Sequence, residues 1–328
     1  MKRTLVIAAA ATLASGAALA QSSVNIYGRF NVTAEQQELN GSKIRVLQNN
    51  ASRIGFKGTE DLGGGLKASF VLEHGFNADT GTPSGAFWGR QSEVNLAGGF
   101  GMLRLGTMTS EAYYATSDYI GLHNHETGTS SDALYAYLGR NSNKVAYRTP
   151  EFVKGLSLEG AVALGEGGGR IRNYDFAGNW QIGSLHLGFG YEKAGTVAVP
   201  SKQFAVSGLY EFGSFILGGM VQRDTDGYSN GVTKIGNRTN VRVSAAYMLG
   251  ASEFHLNVGS AGNYSKLADS SARQFTLGYN YNLSKRTKVY GFYTKIDDNK
   301  AGLYTGGARG LGRQGEFSSL AAGVRHNF

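Results

Sequence analysis

The chain has 328 residues, of which 49 are glycine, 3 proline and none cysteine, and its formal charge is +8. The absence of cysteine excludes a disulfide framework. So much glycine disfavours a helical enzyme, because each glycine costs a helix about 1 kcal/mol relative to alanine.

The first twenty residues, MKRTLVIAAAATLASGAALA, place Lys2 and Arg3 before an Ala-rich apolar run that ends in Ala18-Leu19-Ala20. Basic start, apolar stretch and small-residue exit form the pattern of a secretory signal peptide. The run is shorter than the ~18 apolar residues that mark a spanning helix. Residues 1–20 are therefore expected to be a leader, and residues 21–328 one domain. Without Lys2 and Arg3 the formal charge is +6.

From residue 23 onward no stretch keeps a helical period, and alternation takes over. In order, short connectors fall at 60–65 (EDLGGG), 98–101 (GGFG), 183–184, 213–214, 250–252 and 282–285 (NLSK), all turn-like in composition. Between them lie longer Gly- and Ser-rich connectors at 77–87, 111–139, 228–236 and 301–317. Leu185, Leu187, Phe189 and Tyr191 alternate with His186, Gly188, Gly190 and Glu192. Val241, Val243, Ala245, Tyr247 and Leu249 behave alike, as do Phe275, Leu277, Tyr279, Tyr281 and Leu283. At the end, Leu320, Ala322, Val324, His326 and Phe328 share one face, opposite Ser319, Ala321, Gly323, Arg325 and Asn327. The count is sixteen strands, eight long loops and seven short turns. Pro83 and Pro200 are expected in long connectors and Pro150 at a strand end, so none breaks a ladder.

Two all-β architectures fit. A soluble sandwich or propeller buries its apolar face against a second layer. A membrane barrel turns that face to lipid and keeps the polar face inside. Strand length favours the barrel, since crossing the apolar layer at a tilt takes ~9–11 residues. Aromatic residues near strand ends, among them Tyr27, Trp88, Tyr147, Trp180, Tyr191, Tyr210 and Tyr281, suit an interfacial girdle. A barrel in lipid leaves no edge unpaired, so the last strand is expected to close against residues 23–33.

Five stretches carry a resemblance: SSVNIYGRF, SRIGFKGTEDLGGGLKASFVLEHGFN, WGRQSEVNLAGGFGMLRLGT, NKVAYRTPEFVKGLSLEGAVALG and GVRHNF. Together, and in this order, they resemble the general diffusion porins of Gram-negative outer membranes, the β-proteobacterial branch above all. The resemblance implies a 16-stranded antiparallel transmembrane β-barrel, a homotrimer, and a third loop folded inward to narrow the pore. It also implies contact with outer-membrane lipids, and that the barrel-assembly machinery reads the terminal aromatic, here Phe328. The third loop departs from the enterobacterial pattern and reads YYATSDYIGLHNHETGTSSDALYAYLG after Glu111.

A water-filled barrel selects by diameter and by lumenal charge. Strand parity turns Arg29, Arg53, Lys57, Lys67, Arg104, Lys144, Arg148, Arg242 and Arg325 inward. Arg90 joins them through the resemblance, because Val94 and Leu96 share its parity. The same reading puts Glu73, Glu159, Asp175, Glu192 and Glu211 inside, a two-to-one excess of base over acid. The resemblance further implies an arginine ladder, matched by Arg53, Arg90, Arg140 and Arg148. It would face the acids of the third loop, Glu111, Asp118, Glu126 and Asp132. Small hydrophilic solutes, with some preference for anions, are the expected cargo.

Other readings are weaker. Gly310-Leu311-Gly312-Arg313-Gln314-Gly315 spells a dinucleotide fingerprint but lacks the flanking strand and helix. His123, His125 and Glu126 could gather a metal, yet loop residues two apart more often face water. No cofactor, metal or catalytic residue is expected, and the dispersed basic residues argue against a nucleic-acid partner. The alternatives are a substrate-preferring channel, with Tyr113, Tyr114, Tyr119, Tyr135 and Tyr137 as a stacking track, a barrel enzyme, and an adhesin. The six histidines include none in a recognisable nucleophile motif.

Overall fold

The computed structural model describes residues 23–118, 120, 133–138, 140–166, 171–229, 233–304 and 314–328, without the side chains of Arg140 and Asn141. The expected leader, His123, His125, Glu126, Asp132 and residues 310–313 lie outside the described residues. Alternating sequence folds into β1 (Ser23–Leu39), β2 (Ser42–Asn49), β3 (Arg53–Gly63), β4 (Leu66–Gly75), β5 (Gln91–Gly98) and β6 (Gly101–Thr109). A helical turn α1 (Glu111–Tyr113) runs into a π turn (Tyr114–Asp118). Then follow β7 (Arg140–Arg148), β8 (Leu156–Ala163), β9 (Asn173–Ile182), β10 (Leu185–Gly195), β11 (Pro200–Phe212) and β12 (Phe215–Thr225). The chain ends with β13 (Asn237–Leu249), β14 (Ser252–Ala261), β15 (Ala272–Asn282), β16 (Thr287–Asp298) and β17 (Gly315–Asn327).

Segments β2 and β3 are two lengths of one barrel strand. Both pair with β1, from Val32 to Leu39 and from Ser23 to Arg29 respectively. The break falls at Asn50 to Ser52, where Ala51 takes a φ of 56°. The barrel therefore has sixteen strands, each antiparallel to the next. It closes through β1 and β17, from Arg29 opposite Asn327 to Leu39 opposite Phe317.

Parity sorts the two faces as expected. Along β1, Asn31, Thr33, Glu35 and Gln37 are buried, whereas Phe30 is 49% exposed. The outward residues of later strands, such as Phe204, Val243, Leu277 and Leu320, are large, apolar and exposed. Such a surface is stable only against lipid. On the turn side, rings pass from Tyr210 to Phe212, Phe215, Tyr247, Phe254 and Tyr279 at centroid steps of 5.8, 5.6, 4.8, 6.5 and 5.2 Å. Amphipathic rings of this kind settle at the membrane interface. Tyr27 departs from the expected girdle: it faces inward, with Lys57 Nζ 5.2 Å from its ring centre.

The connectors differ from expectation in two places. Asn40 and Gly41 form a two-residue hairpin, with φ of 50° and 84° at the two positions. Asn-Gly is the pair that tolerates such a turn, so the first loop-side connection is short rather than long. Pro200 does not sit in a long connector but opens β11, where its missing N–H breaks no ladder.

Candidate functional site

The described parts of the third connector rest on the buried face of the later strands. Ser110 caps α1 by accepting from the Tyr113 amide at 3.2 Å. Asp175 of β9 then takes the next two free amides, Glu111 N at 2.9 Å and Ala112 N at 3.1 Å. A carboxylate suits the positive end of a helical turn, and Lys144 Nζ holds this one at 2.6 Å. Gly190 of β10 lets α1 approach, since a Cβ there would run into the Ala112 backbone. Ser207 Oγ donates to the Ala115 carbonyl at 3.1 Å. Ala112, Ala115, Thr116 and Ser117 are consequently buried.

The return limb, 133–136, is gripped from β12 and β13. Gln222 accepts from Ala136 N at 2.9 Å and donates to its carbonyl at 3.3 Å. Asn240 Nδ2 and Arg238 Nη2 both donate to the Leu134 carbonyl, at 2.6 and 2.7 Å. Leu134 packs among Leu39, Ala261, Ala272, Ile296 and Phe317. Ile120 and Tyr135 pack against Ala205, Leu209 and Met220.

Charge concentrates around Glu111. Arg148 Nη2 lies 2.8 Å from its carboxylate and Arg104 Nη1 3.6 Å away. Arg104 also reaches Glu93 and Glu159, each at 2.9 Å, and Arg148 reaches Glu159 at 2.8 Å. Burial pushes the Glu111 carboxyl above the ordinary carboxylate range, and Glu159 and Asp175 push it the same way. Arg148 and Arg104 pull in the opposite direction without prevailing. A second centre forms on β4, where Glu73 takes Arg90 Nε at 2.6 Å and Arg53 Nε at 3.7 Å.

The expected residues thus divide. Arg53, Arg90 and Arg148 remain partly open, at 17%, 18% and 33% side-chain exposure. Lys57 and Lys67 are exposed, and Arg29, Arg325 and Asp118 half-buried. Arg104, Lys144 and Arg242 do not face open water; they are buried, the first two beside the paired acids Glu93, Glu159 and Asp175. Arg90 precedes β5, so strand parity never applied to it. Arg140 begins β7, while its side chain lies outside the described residues.

The two-to-one excess of base over acid does not hold. Glu35, Glu93, Asp224, Glu253 and Asp298 also have inward parity, against two further bases, Arg238 and Lys288, while Glu211 keeps its inward parity at the exposed end of β11. Parity on β1, β5, β12, β14 and β16 carries the signal for these acids.

Arg238 is a further omission. It is fully buried, 2.7 Å from Asp224, with Tyr228, Tyr264 and Tyr304 rings 4.7 to 5.2 Å from its guanidinium. Its sequence signal was faint, because the cage comes from three separate connectors.

A sequence profile described as Gram-negative porin matches residues 6–301. Outer membrane porin protein 32 of Delftia acidovorans is 34% identical, with both chains covered in full. An outer membrane porin protein of Bordetella pertussis is 28% identical, again over 100% of each. Among solved structures, the anion-selective porin from Comamonas acidovorans superposes with a TM-score of 0.75 at 26% identity, covering 94% of this chain and 100% of that one.

Proposed function

Because this chain belongs to the Gram-negative porins, outer-membrane channels for passive diffusion of small hydrophilic solutes, we propose that it is a modestly anion-preferring pore narrowed by its third loop. One contrast supports the preference. The side chains of Arg53, Arg90 and Arg148 are 17%, 18% and 33% exposed, more than their acid partners Glu73, Glu111 and Glu159 at 12%, 14% and 1%. A passing ion feels the charges that line the water, not those sealed behind them. Net wall charge is nearly balanced, so the preference is local and moderate.

The contacts of α1 with Asp175 and Gly190, and of Leu134 with Asn240, favour a third loop lying inside the barrel. Its open face then bears Glu111, Tyr114 and Asp118, one turn apart on the side away from the buried alanines. Arg148 meets that face directly through Glu111. We assign Arg53, Arg90, Arg148 and Glu111 to the constriction, with Asp118 beside them. The resemblance adds a homotrimer and Phe328 as an assembly signal, and the pattern of residues 1–20 adds a removable leader.

The reversal potential under a potassium chloride gradient tests this reading. Chloride preference that shrinks as salt rises is expected; potassium preference at low salt would overturn it. One observation favours a substrate preference as well. The rings of Tyr113 and Tyr137 lie 4.8 Å apart and tilted by 57°, and Tyr114 and Tyr137 are 41% and 38% exposed, a surface for a ring-bearing solute.

A further inference from the structure

On the outer wall, the loop side of β10 to β12 carries three bases. Lys193 of β10 stands directly opposite Lys202 of β11, and Arg223 of β12 stands opposite Phe204, the next residue along the same face. Their outward direction follows from their neighbours. Glu192, Gln203, Gln222 and Asp224 are buried on the lumen side, while Phe204 and Val221 are 50% and 45% exposed on the other. Directly opposite residues have Cβ atoms ~4.5–5.5 Å apart and diagonal ones ~7–8 Å, so the three charges share one patch. Lys202 and Tyr210, one of the turn-side rings, lie at opposite ends of β11, a rise of ~27 Å. With the rings at one interface, the bases reach the other, on the side where long loops face outward from the cell.

The acids of this wall do not answer them. Asp175, Glu192, Glu211 and Asp224, the acids of β9 to β13, all have inward parity. Arg223 donates from Nη1 to Thr239 Oγ1 at 3.1 Å and from Nη2 to Asn237 Oδ1 at 2.8 Å, both neutral. Other bases of this rim stand beside acids: Lys43 is 3.5 Å from Glu38, Lys295 is 2.8 Å from Glu316, and Arg273 faces Asp297 in register. Snorkelling brings a long base to this level, but like charges directly opposite each other repel. An anion held between them turns that repulsion into attraction. A phosphate monoester carries about −1.5 to −2 at pH 7, so two such groups on one headgroup match three bases. Tyr191, Phe204 and Val221 continue the face toward the membrane centre as an apolar shelf. The hairpin from β10 to β11 spans only residues 196–199, and Lys202 and Arg223 remain exposed.

We propose that Lys193, Lys202 and Arg223 form a site on the outer wall for a phosphorylated lipid headgroup of the outer leaflet, with its acyl chains against Tyr191, Phe204 and Val221. The inference goes beyond the channel reading and does not depend on which ion the lumen prefers.

The test is binding of lipid A (a glycolipid with two phosphates) to the detergent-solubilised protein, read as lipid bound per barrel by native mass spectrometry over a concentration series. Dephosphorylated lipid A and inorganic phosphate serve as controls. Wild type should bind the phosphorylated lipid along a saturating curve and the dephosphorylated lipid about a hundredfold more weakly. Lys193→Gln and Lys202→Gln should each raise the half-saturating concentration about fivefold, the scale of one base near an anionic surface. Adding Arg223→Gln to both should bring the loss to about a hundredfold. If that triple variant fails to fold, the double lysine variant leaves the bonds of Arg223 in place and should still lose about twenty-fivefold. Lys202→Arg keeps the charge and should bind as wild type does, and so should Lys295→Gln, which lies beside Glu316. Equal binding in wild type and the glutamine variants overturns the proposal, as does an equal loss in Lys295→Gln. Displacement of the lipid by inorganic phosphate at matching concentration would show a phosphate site that needs no lipid. Loss of binding only together with loss of subunit assembly would show that the three bases face a second copy of the chain; either result overturns the lipid site.

Discussion

Gly28 and Phe328 exchange both of their backbone hydrogen bonds, each amide donating to the other's carbonyl at 3.1 Å. They fasten the last residue of the sequence to the first strand, just beyond the pairing of Arg29 with Asn327. The Phe328 ring covers Gly28, whose missing Cβ leaves room for it and for the Arg53 carbonyl. Phe30 lies beside it, at a ring separation of 6.1 Å.

Gly28→Val should therefore open the seam, through a clash costing about 1–3 kcal/mol. Phe328→Ser should lower the yield of folded barrel more than it changes the conductance of the barrels that form. An unclosed sheet exposes its edge and its apolar face, and aggregates. Heat-modifiable gel mobility reads the folded fraction, and normal surface levels of Phe328→Ser would contradict the expectation.

Replacing Arg53, Arg90 and Arg148 together with glutamine should weaken or reverse anion preference. Screening over ~10 Å at 0.1 M salt should make the wild-type and variant pores converge as ionic strength rises. Reversal potentials at two salt concentrations check both parts. An unchanged preference at low salt would remove these arginines from the constriction.

Acidification should strengthen anion preference before ordinary carboxylates titrate. Glu111 is held above their range, mainly by burial. It therefore takes up its proton first as pH falls, leaving Arg148 less compensated. Glu111→Gln should show the acidic-pH selectivity already at neutral pH and lack that step. Superimposable pH profiles of wild type and variant would rule out this role for Glu111.

Arg238→Gln should loosen the grip on the return limb of the third connector. The change removes one side of a fully buried pair with Asp224, a loss of roughly 3–5 kcal/mol. It also removes the bond to the Leu134 carbonyl. The expected result is a larger, noisier single-channel current with lower thermal stability. Arg238→Lys keeps the charge without the fork and should fall between. Wild-type current and stability in Arg238→Gln would show that Asn240 and Gln222 hold the limb unaided.

In detergent, the protein is expected to sediment as three copies, dissociating on heating before the barrel itself unfolds. A monomer at all concentrations would remove the trimer from the proposal.

Most of the wall was legible in the alternation, because a strand fixes side-chain direction locally. Arg53, Glu73, Arg104 and Asp175 could be turned inward from their neighbours alone. Arg90 could not, since it stands before β5. Inward parity at Leu209, Met220, Ile296 and Phe317 carried a further signal. Apolar residues on a water-facing wall mean that something packs against them.

The sequence by itself determined the strand count, the two faces, the exclusion of disulfides and the closing role of the last strand, since each follows from local alternation or composition. Tertiary structure alone decided which charges reach water and which are sealed in pairs. Arg148 and Arg104 have the same charge and the same inward parity, yet one is 33% exposed and the other 8%. Both meet Glu159 of β8 and Glu111 of α1, but Arg104 also pairs with Glu93 of β5, so acids from three elements enclose it, through contacts between residues as far as 55 positions apart. A period of two residues carries no information over that distance.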